Sequence, residues 1–303
     1  MACPLQLGAT MTNDQYTVTK KITVVVLTYN RSHELRRTLM QLSALPEQPP
    51  IIVVNNGSSD TTARLVSRDF PEVKLISLAK NWGAAGRNVG VDLVKTPYVA
   101  FCDDDTWWTP RSLEIAVDIL DYHPEIAVLN ARILVGEDKK LDPSCSTMEE
   151  SPLGFWKDVG PLLTGFMAGA NVMRTSAYIQ ADGYWDAFFI GGEESLIAMD
   201  ILNCGGKIVY APELVVRHLP SKQRDNKLRQ RLIARNAIWT CWLRLPWRLA
   251  WSRSKEILGQ ISDRQLRRRA LFDALLGFNK IVSERRVLNR DTCELLRRVW
   301  QKE

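Results

Sequence analysis

Three carboxylates stand side by side at Asp103, Asp104 and Asp105, directly after the apolar run Tyr98 to Cys102. Adjacent like charges repel, so the triplet needs a cation or several hydrogen-bond donors close by. Hard oxygen donors from one or two carboxylates suit Mg²⁺ or Mn²⁺, which keep their other positions for water and phosphate. The same residues could instead serve the helix that opens at Pro110, whose N-terminal dipole favours negative charge. A second acidic pair, Glu193 and Glu194, follows Phe188 to Gly192 and precedes the apolar stretch Leu196 to Met199. A carboxylate there could accept a proton during catalysis, or only cap the helix start. A third segment, Lys80 to Gly90, carries Gly83, Gly86, Arg87 and Gly90. Glycine lets backbone approach a phosphate and helix-start amides attract anions, but a turn leading into a helix packed on a sheet has the same pattern. It is neither a G-x-G-x-x-G fingerprint nor a Walker A loop, which argues against dinucleotide and P-loop sites.

The elements that must hold these residues alternate. Ile22 to Leu27 is a β-branched run apolar on both faces, as a buried parallel strand requires. Ser32 then opens a helix with Leu35, Leu39 and Leu42 on one side, stopped by Pro46, Pro49 and Pro50. The cycle repeats with strands at Ile51 to Val54, Val73 to Leu78 and Tyr98 to Cys102, separated by helices at Thr61 to Phe70, within Lys80 to Val94, and from Pro110 to Tyr122. Such alternation predicts βαβ units and a mostly parallel sheet, with ligands outside the carboxyl ends of its strands. The polar clusters Thr28-Tyr29-Asn30, Asn55-Asn56 and Asp103-Asp104-Asp105 all fall at those ends. Residues 136 to 161 read as a variable loop region, and order returns from Leu163 to His218.

Composition narrows the class. The chain has 303 residues, 46% hydrophobic and 24% charged, which excludes wholesale disorder. Its longest uncharged run, Val159 to Met173, covers 15 positions, short of the roughly 20 a bilayer span needs. The N-terminus lacks a basic region followed by an apolar core, so no secretory signal is expected. The six cysteines include no Cys-x-x-Cys pair, which fits a reducing cytosol and argues against a zinc ribbon. Residues 1–216 hold 18 Lys/Arg against 26 Asp/Glu, whereas residues 217–303 hold 22 against 8. An acidic body therefore carries a strongly basic tail.

The order of these motifs resembles family-2 glycosyltransferases. It runs from the Thr28-Tyr29-Asn30 strand end through Val53 to Asp60, Asn81 to Gly90 and the Asp triplet to Gly191-Gly192-Glu193-Glu194, and the resemblance covers about residues 22–218. It implies a GT-A fold: an α/β class with a mostly parallel, Rossmann-like sheet, flanking helices and here a basic helical C-terminal extension. The expected organisation is a loose arm over 1–20, a glycosyltransferase domain over 21–220 and the extension over 221–303. Within the domain, the nucleotide-binding half covers about 21–130 and the acceptor half about 131–220.

The resemblance also implies roles. Thr28, Tyr29 and Asn30 would line the nucleobase pocket, with Asn55 at the base edge where the family often has Asp. Arg87 would shape the nucleotide pocket, with Asp103 and Asp104 on the donor. Asp105 would ligate Mg²⁺ or Mn²⁺ from an accessible strand end, with His218 reaching the metal or the diphosphate. Gly169, Ala170 and Asn171 would border the acceptor side. The base would be Glu194, matching the second member of the family's Glu-Asp pair, or Glu193 instead. The implied reaction is single-displacement transfer of a sugar, with inversion, from a nucleotide sugar to a hydroxyl of a glycan or lipid-linked acceptor. Alternatives are a sugar-nucleotide nucleotidyltransferase, which normally needs a Gly-rich loop after the first strand, and a non-catalytic sugar-nucleotide-binding homologue.

Trp239, Trp242, Trp247 and Trp251 lie among arginines in the tail, a composition suited to an anionic headgroup layer. Segment 228–255 is therefore expected either to meet an anionic membrane surface or to pack its tryptophans on the core. The acidic body and the lack of a recognised motif argue against nucleic acid. The expected place is the cytoplasm, at the inner membrane face.

Overall fold

The computed structural model describes residues 18, 20–221 and 226–302, so the arm expected over 1–20 falls almost wholly outside the described residues. Strands β1 (Ile22–Thr28), β2 (Ile51–Asn55) and β4 (Tyr98–Asp103) are buried along nearly their whole length. Both faces are covered, one in part by α1 (Ser32–Ser43), which buries Leu35, Leu39 and Leu42. α2 (Thr62–Asp69) leads to the edge strand β3 (Lys74–Ser77), and α3 (Gly86–Val91) precedes β4. The order β3-β2-β1-β4 is parallel throughout. Its register sets Thr28 opposite Asn55 and Leu27 opposite Asp103, which brings the polar strand ends side by side.

Beyond β4 the sheet is mixed. The chain continues through β5 (Thr106–Trp108), α4 (Ser112–Tyr122), β6 (Ile126–Val135), β7 (Lys140–Leu141), α5 (Pro143–Glu149), β8 (Phe155–Trp156), β9 (Gly160–Leu163), β10 (Asn171–Arg174), α6 (Thr175–Gln180), α7 (Glu194–Asn203) and β11 (Lys207–His218). β10 runs antiparallel between β4 and β6, while β6 and β11 are parallel to each other. The stretch read as a variable loop contains a helix, α5. Asp142 caps it by accepting from the Ser144 amide, Pro143 occupies its first turn, and buried Cys145 accepts from the Ile133 amide.

The tail is helical: α8 (Asn226–Arg244), α9 (Trp247–Gln260), α10 (Arg264–Leu276), α11 (Phe278–Glu284) and α12 (Arg290–Trp300). A second hydrophobic cluster joins it to the mixed part of the sheet domain, with Ile238, Trp239 and Trp242 packed among Phe188, Leu196 and Met199. This corrects part of the membrane expectation. Trp239 and Trp242 are buried, while Trp247 and Trp251 are exposed at 37% and 44% and stack on each other. The arginines that fall among the apolar side chains of α8 have partners: Arg231 grips Asp273 through two nitrogens, and Arg244 grips Asp200 likewise. No described helix is long and apolar enough to cross a membrane.

Candidate active site

The Asp103–Asp105 turn is tied down from several sides. Arg31 donates to Asp104 Oδ1 at 3.0 Å and to Asp105 Oδ2 at 3.3 Å. Thr28 Oγ1 donates to Asp104 Oδ2, and Thr38 Oγ1 donates to the Asp104 carbonyl. The repulsion anticipated for the triplet is thus met by Arg31, which the sequence reading left without a role. The clue was available: three adjacent carboxylates need a cation, and Arg31 is the basic residue that directly follows the first strand end. Burial pushes the Asp104 carboxyl up to about 7, helped by Asp105 and Asp103 against the pull of Arg31.

These contacts revise several expectations. Asp104 is buried and held within the protein by Thr28, Arg31 and Thr38. Thr28 is buried on Asp104 for the same reason, so only Tyr29 and Asn30 are exposed at that strand end. Asn30 takes a left-handed backbone (φ 52°) and its Oδ1 accepts from the Ser59 amide. Asn55 is buried, donating to Ser77 Oγ and accepting from the Ser58 amide, so it shapes the loop after β2. Asp105 is 2% exposed, not an accessible strand-end carboxylate. The cause is β11, which pairs with β5, and the Leu219 amide just beyond it, which donates to the Asp105 carbonyl.

Asp105 Oδ1 nevertheless lies 3.6 Å from His218 Nε2. A carboxylate and an imidazole so close form a two-donor set. That fits Mg²⁺ or Mn²⁺, which take few protein ligands and complete their shell with phosphate and water. Among the described residues no group of three His, Cys, Asp or Glu converges on one point, so the protein alone builds only this partial site.

Asp103 faces the other way. Its Oδ1 receives Nη2 of buried Arg87, whose guanidinium also lies 5.4 Å from the Tyr184 ring centroid. Burial would lower the Arg87 pKa, but Asp103, Tyr184, Glu193 and Glu194 together hold it raised. Gly169 packs on this carboxylate, since a Cβ there would lie 2.7 Å from Asp103 Oδ2. Its neighbours do not reach the cleft as expected. Ala170 is buried, and Asn171 is buried with its Nδ2 donating to the Met167 and Ala168 carbonyls, bracing the loop from inside.

Gly86 and Gly90 resolve the two readings of the glycine segment toward packing. A Cβ at Gly86 would lie 2.8 Å from Leu27 Cδ1, and one at Gly90 2.7 Å from Val25 Cγ1, so α3 sits hard against β1. Gly83 has a separate task. It takes φ +61°, and a Cβ would overlap the Phe189 carbonyl oxygen, which accepts from the Ala84 amide at 2.6 Å. This contact joins the parallel half to the turn that carries the acid pair.

Glu193 is buried and Glu194 partly so, at the start of α7. Burial raises both carboxyls, and the neighbouring Glu193 charge helps to push Glu194 up to about 8. Three polar groups at this junction, Arg87 Nε, Tyr184 Oη and Glu193 Oε2, are buried without a protein partner. Buried polar groups are ordinarily satisfied, so each of these atoms is open to a polar ligand or water.

A parallel α/β half, a mixed half and an acidic site at the strand ends together define a GT-A glycosyltransferase. The family model described as Glycosyl transferase family 2 matches residues 23–192, more than half of the chain, and the chain belongs to that family. It is 24% identical over 238 residues to the N-acetylglucosaminyl-diphospho-decaprenol L-rhamnosyltransferase of Mycobacterium tuberculosis, covering 66% of this chain and 76% of that one. Among solved structures it resembles the mannosyltransferase PcManGT of Pyrobaculum calidifontis in complex with GDP-Man and Mn²⁺, with TM-score 0.58, 16% identity and coverage of 93% and 88%. It also resembles S. aureus TarS 1–349 in complex with UDP-GlcNAc, with TM-score 0.54, 19% identity and coverage of 71% of this chain. This chain spans 65% of that TarS fragment, and both structural likenesses concern the fold.

Proposed function

We propose that the protein transfers a sugar from a nucleotide-sugar donor to a hydroxyl of a glycan or lipid-linked acceptor, with inversion. The observation that carries this reading is the junction of Arg87, Asp103, Glu193 and Glu194. Arg87 donates to Asp103 and feels the charges of Glu193 and Glu194, while Arg87 Nε and Glu193 Oε2 are each buried without a protein partner. Tyr29 and Asn30, exposed at the end of β1, would hold the nucleobase, and Asp103 the ribose or donor sugar. Asp105 and His218 would hold the divalent cation, which when bound offsets negative charge on the donor diphosphate. Glu194 takes the proton of the acceptor hydroxyl as its oxygen attacks the anomeric carbon. The nucleoside diphosphate departs from the opposite face, so one displacement inverts the centre. A carboxylate raised toward 8 suits this work, because a general base is most effective when its pKa lies near the working pH.

The test is a panel of nucleotide sugars with and without Mn²⁺, read first as thermal stabilisation and then as release of nucleoside diphosphate. A bound donor raises apparent stability by mass action. Stabilisation by one donor and release with a glycan or lipid-linked acceptor would support the reading; no response to any donor would sink it. Membrane contact, in this reading, falls to Trp247, Arg248, Trp251 and Lys255 on the exposed side of α9. It would hold the enzyme at the inner membrane face beside a lipid-linked acceptor.

A further inference from the structure

The turn before the acid pair is strained. Phe189 has φ 63° and ψ −69°, and the Ile190 amide donates to the Phe188 carbonyl at 2.8 Å. This is a γ-turn of the positive-φ kind, rare in proteins and unfavourable for a residue with a bulky side chain. Gly191 and Gly192 follow, both also at positive φ. Such a backbone persists only where its surroundings over-determine it.

Those surroundings come from the C-terminal extension. Asn236 lies in the middle of α8 and is 0% exposed. Its Nδ2 reaches the carbonyls of Phe188 at 3.0 Å, Ile190 at 3.2 Å and Gly191 at 2.7 Å. Arg235 supplies Nη2 to the carbonyls of Ala187 and Phe188, both at 3.0 Å. It also donates to Asn236 Oδ1 through Nε and Nη2. Because arginine only donates, that contact dictates which way round the amide stands, with Oδ1 toward Arg235 and Nδ2 toward the turn. Arg235 is steadied in its place over the Trp239 ring, 4.2 Å from the centroid. The remaining carbonyl, that of Phe189, is taken by the Ala84 amide from the donor half. Every carbonyl from Ala187 to Gly191 therefore has a donor, and α8 supplies four of the five. Ile233 completes the clamp, since a Cβ on Gly191 would press on Ile233 Cγ1.

We infer that Asn236, oriented by Arg235, is a positioning residue for the acid pair: it holds the strained turn at Phe189 and so sets where Glu193 and Glu194 stand relative to Arg87 and Asp103. Only Gly192 and Glu193 separate the last clamped carbonyl from Glu194, so a release of the turn acts within two residues of the acid. The inference rests on the reading of Glu193 and Glu194 as the base pair. It assigns the basic extension a part in catalysis that needs no membrane.

The experiment uses the full chain, with Asn236→Ala, Phe189→Gly and the two combined. Glycine accepts positive φ, so Phe189→Gly removes the strain that Asn236 holds in check. Three readouts are taken: hydrogen exchange of the amides from 187 to 194, binding of UDP and of GDP with Mn²⁺, and kcat and KM for transfer. Asn236→Ala should raise exchange in that segment at least tenfold and lower kcat by about 10²-fold, the cost of misplacing a group by about 1 Å. Nucleoside diphosphate affinity should stay within about threefold, because the donor end of the site is held by other residues. Adding Phe189→Gly should recover a tenfold or greater part of kcat. Unchanged exchange, a parallel loss of nucleoside diphosphate binding, or no recovery in the double variant would overturn the inference. If Asn236→Ala does not fold, Arg235→Ala should produce a smaller change in exchange over the same segment, and no change there would count against the idea equally. If the wild-type chain transfers no sugar from any donor, the proposed function fails, and exchange alone then decides whether the clamp exists.

Discussion

The two acidic turns of this protein are built from similar residues and held in opposite ways. At the Asp103–Asp105 turn, the restraining side chains come from neighbouring strand ends and the helix after the first strand: Thr28, Arg31 and Thr38. At the Glu193–Glu194 turn, they come from a helix more than thirty residues downstream, joined by a backbone amide of the Gly83 loop in the parallel half. The first turn is a product of sheet order, and any chain with these parallel strands would bring its pieces together. The second depends on a packed interface between halves. An acidic turn built into the sheet and an acid pair hung on an interface should therefore respond differently to mutation.

The largest separation should appear in turnover. Glu194→Gln should keep donor binding and lose roughly 10²–10⁴-fold in kcat, the usual contribution of a general base, with Glu193→Gln doing less. The reverse order of damage would move the base to Glu193, and full activity in both would remove the pair from the chemistry.

Asp105→Asn strikes the other turn. Mn²⁺-dependent affinity for a nucleoside diphosphate should fall at least about 10–10²-fold, since even residues behind metal ligands carry that much. Because Asp105 is buried beside Arg31, the variant should also melt lower than wild type, with Asp104 left to hold the guanidinium. Calorimetric titration showing unchanged Mn²⁺ dependence would remove Asp105 from the metal site.

Gly83→Ala probes the seam between the two turns. A positive φ alone costs an alanine about 1–2 kcal/mol, and the new Cβ would also collide with the Phe189 carbonyl. Denaturant unfolding should show a loss larger than that of Gly136→Ala, which shares a positive φ but meets nothing within 4 Å. Equal losses would mean the seam is not tightly packed.

The acid pair should also leave a signature in pH dependence. The folded-state pKa of Glu194 is raised to about 8 from 4.5, so the folded protein holds a proton that the unfolded chain gives up. This contribution to stability is fully present below about 4.5 and is lost as pH rises through about 8. Glu194→Gln removes the titration, so its melting temperature relative to wild type should improve from pH 5 to about 8 and level off above it. A constant difference across that range would show that the carboxyl is not raised.

The smallest effect should be at the membrane. Flotation with anionic vesicles should recover the full chain, and Trp247→Ala with Trp251→Ala should weaken recovery, while Trp239 and Trp242 are too deeply packed to contribute. A wild-type chain that stays in the soluble fraction would end the membrane reading.

The parallel half was legible because buried strands announce themselves as unbroken apolar runs and their polar ends mark where ligands sit. Ile22 to Leu27 and Tyr98 to Cys102 lie where those runs put them, and the Asp triplet falls at a strand end as expected. The α5 helix was hidden in a polar stretch because its signal is a single Asp-Pro start, with too few apolar residues for a periodic pattern. The fates of Trp239 and Trp251 were equally illegible, since one composition serves a headgroup layer and a protein core. By itself, then, the amino-acid sequence determined the order of strands and helices, the family, and the residue types available for chemistry, all of which depend on local pattern. Tertiary structure decided which carboxylates face inward, that Arg31 neutralises two of them, and that Arg235 and Asn236 clamp the acid-bearing turn. Those outcomes depend on contacts between residues far apart in the chain, and no local pattern carries their register.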